Sequence, residues 1–375
     1  MKESKNLEKA WEDKIILDLG RDHYKKLFST TNEGITISPY YSFNRKSLVN
    51  PERLFFPNEW NIISEIKCSK NTNLNEEIKR LYENEIKNLI ICNYKGQFID
   101  NAFLSQGNIY FKSERSEKYN SEFKLLIEPN LDSKAPIDLS KFDQEKFRLN
   151  LSSEYFKNSG ANIVQEIAFT LSAGIDYVNK FGKALFNKIS FELIQGNNYF
   201  FEIAKIQALR ILWSIISKKY GNQIDDCIIT AKPSSKNKTI KNYNNNIIRT
   251  TSECMSGILG GCNFIKSIPY DIKFKDENEF SKRITNNQLL ILKNETSIES
   301  VNNAISGSYY ITYLIEKLAE KSLDLIKKIE NNGGYFHDQK NKMIFQEILL
   351  NEKKEKEQYE SGDKLLVGQN KFTND

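Results

Sequence analysis

Apolar and polar positions along the chain follow two alternating periods. Leu89-Ile90-Ile91-Cys92 is a continuous apolar run of strand length. Trp60 to Lys67, Ile109 to Phe111, Phe123 to Ile127, Phe147 to Leu151, Ile189 to Ile194, Cys227 to Ala231 and Asn263 to Ser267 read as further strands. Between them the spacing becomes helical. Gly160 to Val178 places Val164, Ile167, Ala168, Leu171, Ile175 and Val178 on one face. Tyr199 to Tyr220 is rich enough in Ile, Leu, Phe and Trp to be a largely buried helix. Ile247 to Leu259 ends at Gly260-Gly261, a C-terminal stop signal. Leu74 to Lys87 and Glu277 to Lys293 are also helical, and a weaker helix signal separates the strands near 110 and 125. Ile311 to Glu330 carries an apolar stripe and stops at Asn331-Asn332-Gly333-Gly334.

Eight strands, near residues 62, 90, 110, 125, 149, 191, 229 and 265, alternate with helices. This order implies parallel pairing through right-handed crossovers. The fold class is therefore α/β, and eight units in this length match a (β/α)8 TIM barrel. The rival doubly wound sheet usually opens on G-x-G-x-x-G, which is missing here. The expected division is an N-terminal arm over 1–57, a barrel over 58–340 and a tail over 341–375. The arm reads as irregular, with an amphipathic start (Trp11, Ile15, Ile16, Leu19), then Gly34 to Tyr41, then Phe55 and Phe56 bracketed by Pro51 and Pro57. So aromatic a segment is expected to lie on its own domain or on a partner. The Lys/Glu-rich run from Asn351 to Glu360 reads as a solvated helix.

Composition narrows the function classes. Hydrophobic residues are 39% and charged residues 27%, unlike a disordered chain. Lys plus Arg total 54 against 49 Asp plus Glu, a net +5 with both signs mixed, so nucleic acid is not an expected partner. Met1 to Asn6 opens no apolar signal region, and Leu209 to Ile216 is only about half a membrane span, so a cytoplasmic, membrane-free protein is expected. Cys68, Cys92, Cys227, Cys254 and Cys262 contain no C-x-x-C pair and read as buried apolar residues. Only His23 and His337 could serve zinc or a Ser/His/Asp arrangement, and both lie in polar stretches that read as surface. No metal site is expected.

The chain from about residue 147 to 335 carries a further set of motifs. Ser159-Gly160-Ala161 precedes Gln165-Glu166-Ile167-Ala168-Phe169 and Gly174-Ile175-Asp176-Tyr177. Phe201-Glu202-Ile203-Ala204-Lys205 leads to Ala208-Leu209-Arg210 and Leu212-Trp213. Arg249-Thr250-Thr251, Glu253, Met255-Ser256 and Gly260-Gly261 follow, then Arg283-Ile284, Asn287 to Leu290 and Gly307 to Tyr310. In order and spacing these resemble the methylmalonyl-CoA mutase family, and within it the small (beta) subunit type. Glu33-Gly34-Ile35 with Pro39-Tyr40-Tyr41, and Gly368 with Asn370-Lys371-Phe372, are similar to its early segment and to its G-x-N-K-F.

The resemblance implies a TIM barrel and the radical isomerisation of a branched acyl-CoA, methylmalonyl-CoA to succinyl-CoA, with adenosylcobalamin supplying the radical. Catalytic members follow the barrel with a cobalamin-binding domain whose D-x-H-x-x-G histidine ligates cobalt. This sequence stops where that domain would begin, and neither histidine lies in the motif. Catalytic members also place Gly-Tyr-His after the strand ending near Leu151, whereas here the residues are Ser153-Glu154-Tyr155. Tyr155 thus stands at the position of the family's catalytic histidine, and no catalytic residue, cofactor ligand or metal ligand is assigned. The expectation is a small, non-catalytic subunit, inactive alone, that stabilises a large catalytic subunit; adenosylcobalamin and acyl-CoA would be bound by the complex, the cofactor on the large subunit. The alternatives are a mutase barrel served by a cobalamin domain on another chain, or a degenerate CoA-binding barrel.

Gln195 and Lys232 follow strands and are the weak candidates for acyl-CoA contacts, with solvated loop residues as the plainer reading. Glu166 and Arg249 read as ion-pair partners between helix and barrel. Tyr309 and Tyr310 read as packing residues at a helix start, and Asn242 to Asn246 as a polar loop.

Overall fold

The computed structural model describes residues 4–42, 54–113, 123–143, 145–222, 226–275 and 278–373. Pro51, Glu277 and the weak helix signal between the strands near 110 and 125 lie outside them. Eight parallel strands close a barrel: β3 (Asn61–Lys67), β4 (Asn88–Cys92), β5 (Asn108–Ser113), β6 (Lys124–Ile127), β7 (Phe147–Ser152), β8 (Ile189–Gln195), β9 (Ile228–Pro233) and β10 (Phe264–Ile265). All eight strands expected from the apolar runs form. The last is cut to two residues, yet it closes the ring by pairing Phe264 with Asn61 on one side and Thr230 on the other.

The two halves are clad differently. The first half has α3 (Leu74–Glu83) and the short α4 (Asn101–Gln106). Only a 3-10 turn, Leu139–Lys141, stands between β6 and β7 among the described residues. The second half carries α5 (Glu154–Asn158), α6 (Ile163–Phe181), α7 (Tyr199–Lys219), α8 (Asn245–Leu259) and α9 (Glu279–Asn294). A capping box starts α6: Asn162 accepts the Gln165 N–H, and the Gln165 side chain accepts the Asn162 N–H. The long α10 (Tyr309–Asn331) buries Ile311, Leu314, Ile315, Leu318, Ile326 and Ile329 against α6 and α7. Then come α11 (Tyr335–Asn341) and α12 (Met343–Ser361).

The arm is not irregular. It forms α1 (Ser4–Leu19), α2 (Arg21–Lys26) and a small hairpin of β1 (Ser29–Thr30) and β2 (Thr36–Ile37). Aromatic pairing, which strand and helix periods do not encode, organises it: Trp11 stacks on Tyr40 and meets Tyr24 edge-on. The hairpin end lies on its own domain, with Ile35 buried, Tyr41 against Tyr310 and Tyr313, and the Tyr313 hydroxyl donating to Thr36 O (2.8 Å). Asn32 and Gln358 exchange amide hydrogen bonds at 2.9 Å each, joining the hairpin to α12. The tail helix is longer than its charge run and not merely solvated: Ile344 and Ile348 are buried. No helix among the described residues is long and apolar enough to cross a membrane.

Candidate functional site

Side chains alternate across a strand, so every second residue of each strand faces the barrel axis. At the N-terminal end these are apolar: Ile63, Ile90 and Leu126 form a cluster of their own with Cys92, Tyr110 and Phe264. Toward the C-terminal mouth most files carry a polar or charged group. Lys112 pairs with Glu128 (2.7 Å), and Glu128 accepts from Asn150 (3.0 Å), which accepts from Ser190 (3.1 Å). Lys266 pairs with Glu65 of β3 (2.7 Å) and with Glu192 of β8, so it spans the lumen. Glu192 also accepts from Ser152 (3.0 Å) and faces Lys232 at 3.9 Å. Lys232 pairs in turn with Glu154, at the start of α5 (2.8 Å).

Glu65, Glu192, Lys266 and Lys112 hold one another ionised. Burial opposes the charge on Glu65, but Lys266, Lys232 and Lys112 outweigh it and keep the carboxyl well below its usual range. Glu192 is lowered in the same way, with burial opposed by Lys266 and Lys232. Lys266 and Lys112 are raised: burial works against them, and the facing glutamates prevail. Glu128 is the exception, pushed up by burial and by Glu192. Along the axis the mouth end is thus occupied by four carboxylates and three ammonium groups, cross-linked strand to strand.

A second buried ionic cluster lies just outside the mouth. Lys205 is fully buried and contacts Glu166 (3.0 Å), Glu202 and the Ile194 carbonyl. Lys157 of α5 adds a contact to Glu202 at 3.2 Å. The Ser153 hydroxyl donates to Glu166 (2.7 Å) and accepts the Ile194 N–H (3.0 Å). This set fixes the turn that follows β7. Above it, the loops after β8 and β9, the hairpin, α12 and the tail enclose an open cleft of about 1120 Å³. Its wall is tied by Lys236 to Glu355 (2.9 Å), by Lys364 to Glu355, and by Asn351 donating to Gly160 O.

The two substrate candidates separate. Lys232 belongs to the axial ion pairs, not to a solvated loop. Gln195 is the last residue of β8 and is buried, but it faces outward, accepting from Ser256 of α8 (3.3 Å). Strand parity, with Glu192 and Ile194 turned inward, places Gln195 on the opposite face. Tyr155 sits on α5, half-buried; burial and the Asp132 carboxylate push its hydroxyl up to about 12. Glu154, its neighbour, is the residue of that turn that reaches Lys232.

Glu166 does form ion pairs. Arg249 instead donates to Thr239 (3.1 Å), Asn246 (2.8 Å) and Val367 O (2.6 Å). Asn246 is no loop residue: it is buried in α8, accepts the Thr239 N–H and donates to Thr239 O and Tyr270 O. Tyr310 packs on Tyr41 and Phe200, while Tyr309 stays half exposed. All five cysteines are free, four of them buried.

Glu65, Lys112, Glu128, Glu192 and Lys266 escaped the sequence reading. Their signal was present: a charged residue within an otherwise apolar strand (Glu65, Lys112, Glu192) or just past its end (Glu128, Lys266). The cobalt-ligating role fits neither histidine. His23 is exposed on α2, and His337 is exposed on α11 against Gly333.

The family model described as methylmalonyl-CoA mutase matches residues 139–375. The chain is 28% identical over 238 residues to the methylmalonyl-CoA mutase small subunit of Porphyromonas gingivalis, covering 60% of this chain and 38% of that protein. It is 30% identical over 208 residues to the methylmalonyl-CoA mutase of Rhizobium meliloti (53% and 29%). It is 28% identical over 205 residues to the small subunit from Propionibacterium freudenreichii subsp. shermanii (52% and 32%). The chain spans about a third of the length of the curated relatives it matches. With the fold, the motif order and a model match over more than half its length, the chain belongs to the methylmalonyl-CoA mutase family.

Proposed function

We propose that the chain is the small, non-catalytic subunit of an adenosylcobalamin-dependent methylmalonyl-CoA mutase. The family uses cobalamin; in this reading the cofactor and the acyl-CoA are held by a large catalytic subunit, and this barrel stabilises that subunit. The carrying observation is the set of axial ion pairs, Lys266 with Glu65 and Glu192 and Lys112 with Glu128. A lumen crossed by buried charge pairs has no room for a substrate arm, and opening it would leave those charges unpaired. Tyr155, whose proton is held by burial and by the nearby Asp132 carboxylate, is a filling residue and no proton donor to substrate. Lys232, committed to Glu154, has the same standing.

The segment over 1–57 supports the partner reading through α1. None of its side chains from Lys9 to Leu19 is buried, and Leu17 and Leu19 are exposed. An amphipathic helix that its own core does not cover suits a partner surface. In this division 58–340 is the barrel and 341–375 the tail that walls the mouth.

Co-expression with the large subunit from the same source tests the reading. A one-to-one complex that isomerises methylmalonyl-CoA, with this chain inactive alone in added adenosylcobalamin, is the expected result. Turnover by this chain with a separate cobalamin domain, and no complex, would overturn it.

A further inference from the structure

Away from the barrel axis, three carboxylates from three helices meet where α10 turns into α11. Asp176 projects from α6, Glu330 from the last turn of α10, and Asp338 from α11. The turn is Gly333-Gly334, with φ of +100° and +93°. A Cβ on Gly334 would stand 2.4 Å from Asp176 Oδ1, so only glycine lets the carboxylate approach this closely. Asp176 accepts the backbone N–H of Phe336 at 2.9 Å and that of Tyr335, and so starts α11. The other two acids lack such partners. Asp338 is 2% exposed, and its Oδ1, like Glu330 Oε1, is buried without a hydrogen-bond partner among the described residues.

Two buried carboxyl oxygens facing a third carboxylate are tolerated only if the cluster keeps a proton. Among the described residues, the surroundings add little cation. Tyr220, at the end of α7, faces Glu330 and Asp176. Glu347 of α12 raises Asp338, and His337 of α11 alone favours its charged form. Burial, then Asp176 and Asp338, push Glu330 up to about 7; burial also raises Asp176 and Asp338.

We propose that Asp176, Glu330 and Asp338 form a proton-operated latch that holds α11, and through it α12, on the barrel. With a proton in the cluster, Glu330 and Asp338 are accommodated and α11 is seated. Once both are ionised, the three negative charges repel, and α11 and the start of α12 open more often. What opens with them matters, because α12 is one wall of the mouth cleft and carries the Gln358 that clasps the hairpin. Tyr335, whose hydroxyl donates to Leu131 O at 2.6 Å, keeps the opening partial.

The sign follows from linkage. A carboxyl raised in the folded state binds its proton there and releases it on opening, so the seated form weakens as pH rises through about 7. Hydrogen exchange on the full chain at pH 6 and pH 8, corrected for the intrinsic pH dependence of exchange, reads this directly. Residues 335–350 are expected to open more readily than β8 at both pH values, and about tenfold more at pH 8 than at pH 6. Glu330→Gln, which mimics the protonated acid, should flatten that pH response. No faster exchange than β8, no pH response, or a full response in Glu330→Gln would each overturn the latch. If that variant does not fold, Asp338→Asn takes its place with the same expectation and the same overturning results.

Discussion

A buried lysine between two glutamates is a commitment rather than a bonus. Lys266 satisfies Glu65 and Glu192 together, and removing it leaves two carboxylates facing each other in a closed lumen. Lys266→Met is expected to cost about 3–5 kcal/mol, the usual penalty for breaking a buried pair from one side; urea unfolding measures it. Tyr155→Phe is the contrasting case. It removes only a half-buried hydroxyl, so a loss of about 1 kcal/mol at most is expected. Turnover of the complex with the large subunit should be unchanged; a fall in kcat would give Tyr155 a catalytic task. The axial charges were hard to read because a polar residue in an apolar strand is ordinarily taken to face solvent. In a barrel the same parity points it at the axis, and parity alone does not tell inside from outside. Gln195 carries the same ambiguity: Glu192 and Ile194 face in, so parity turns Gln195 toward Ser256 of α8, which a single-residue reading does not register.

At the scale of elements, what the chain makes legible follows from period. The run at Leu89 to Cys92 located its strand because a buried parallel strand can be apolar on both faces, and Ile189 to Ile194 located its own by an unbroken apolar face of Ile189, Phe191 and Leu193 opposite Ser190 and Glu192. The arm was not legible, because α1 is held by Trp11 on Tyr40 and Tyr24 rather than by a stripe on the core. Nor was the tail, whose charges conceal Ile344 and Ile348. The junction between α5 and α6 shows how tightly these elements are fitted. Gly160 has φ +102°, and a Cβ there would stand 2.5 Å from Glu352 Cβ on α12. Gly160→Ala is therefore expected to lift α12 from the α6 start and to cost about 1–3 kcal/mol. Thermal unfolding reads the loss, and faster proteolysis of α12 at native temperature reads the displacement.

For the whole molecule, opposing carboxyl shifts shape the stability curve. Glu65 and Glu192 are depressed, as is Glu355, held at about 2 despite its burial by Lys364 and Lys236. Their contribution is complete above the ordinary carboxyl value and fades as pH falls below it. Glu330, at about 7, and Glu128 are raised, and their contribution fades as pH climbs. Unfolding free energy should therefore be greatest near about pH 5 and fall on both sides; denaturant titrations from pH 3 to pH 8 would show a rise and then a plateau above about pH 5 instead if the raised acids were unimportant. The closure of the ring has a consequence in time. Lys266 lies 201 positions after Glu65, and β10, which completes the pairing of β3, is made equally late. At roughly 5–20 residues per second on the ribosome, the first barrel strand waits about 10–40 s with a bare edge and an unneutralised carboxylate. During that interval the β3 edge that β10 will cover offers its unpaired N–H and C=O groups to any other strand that reaches it.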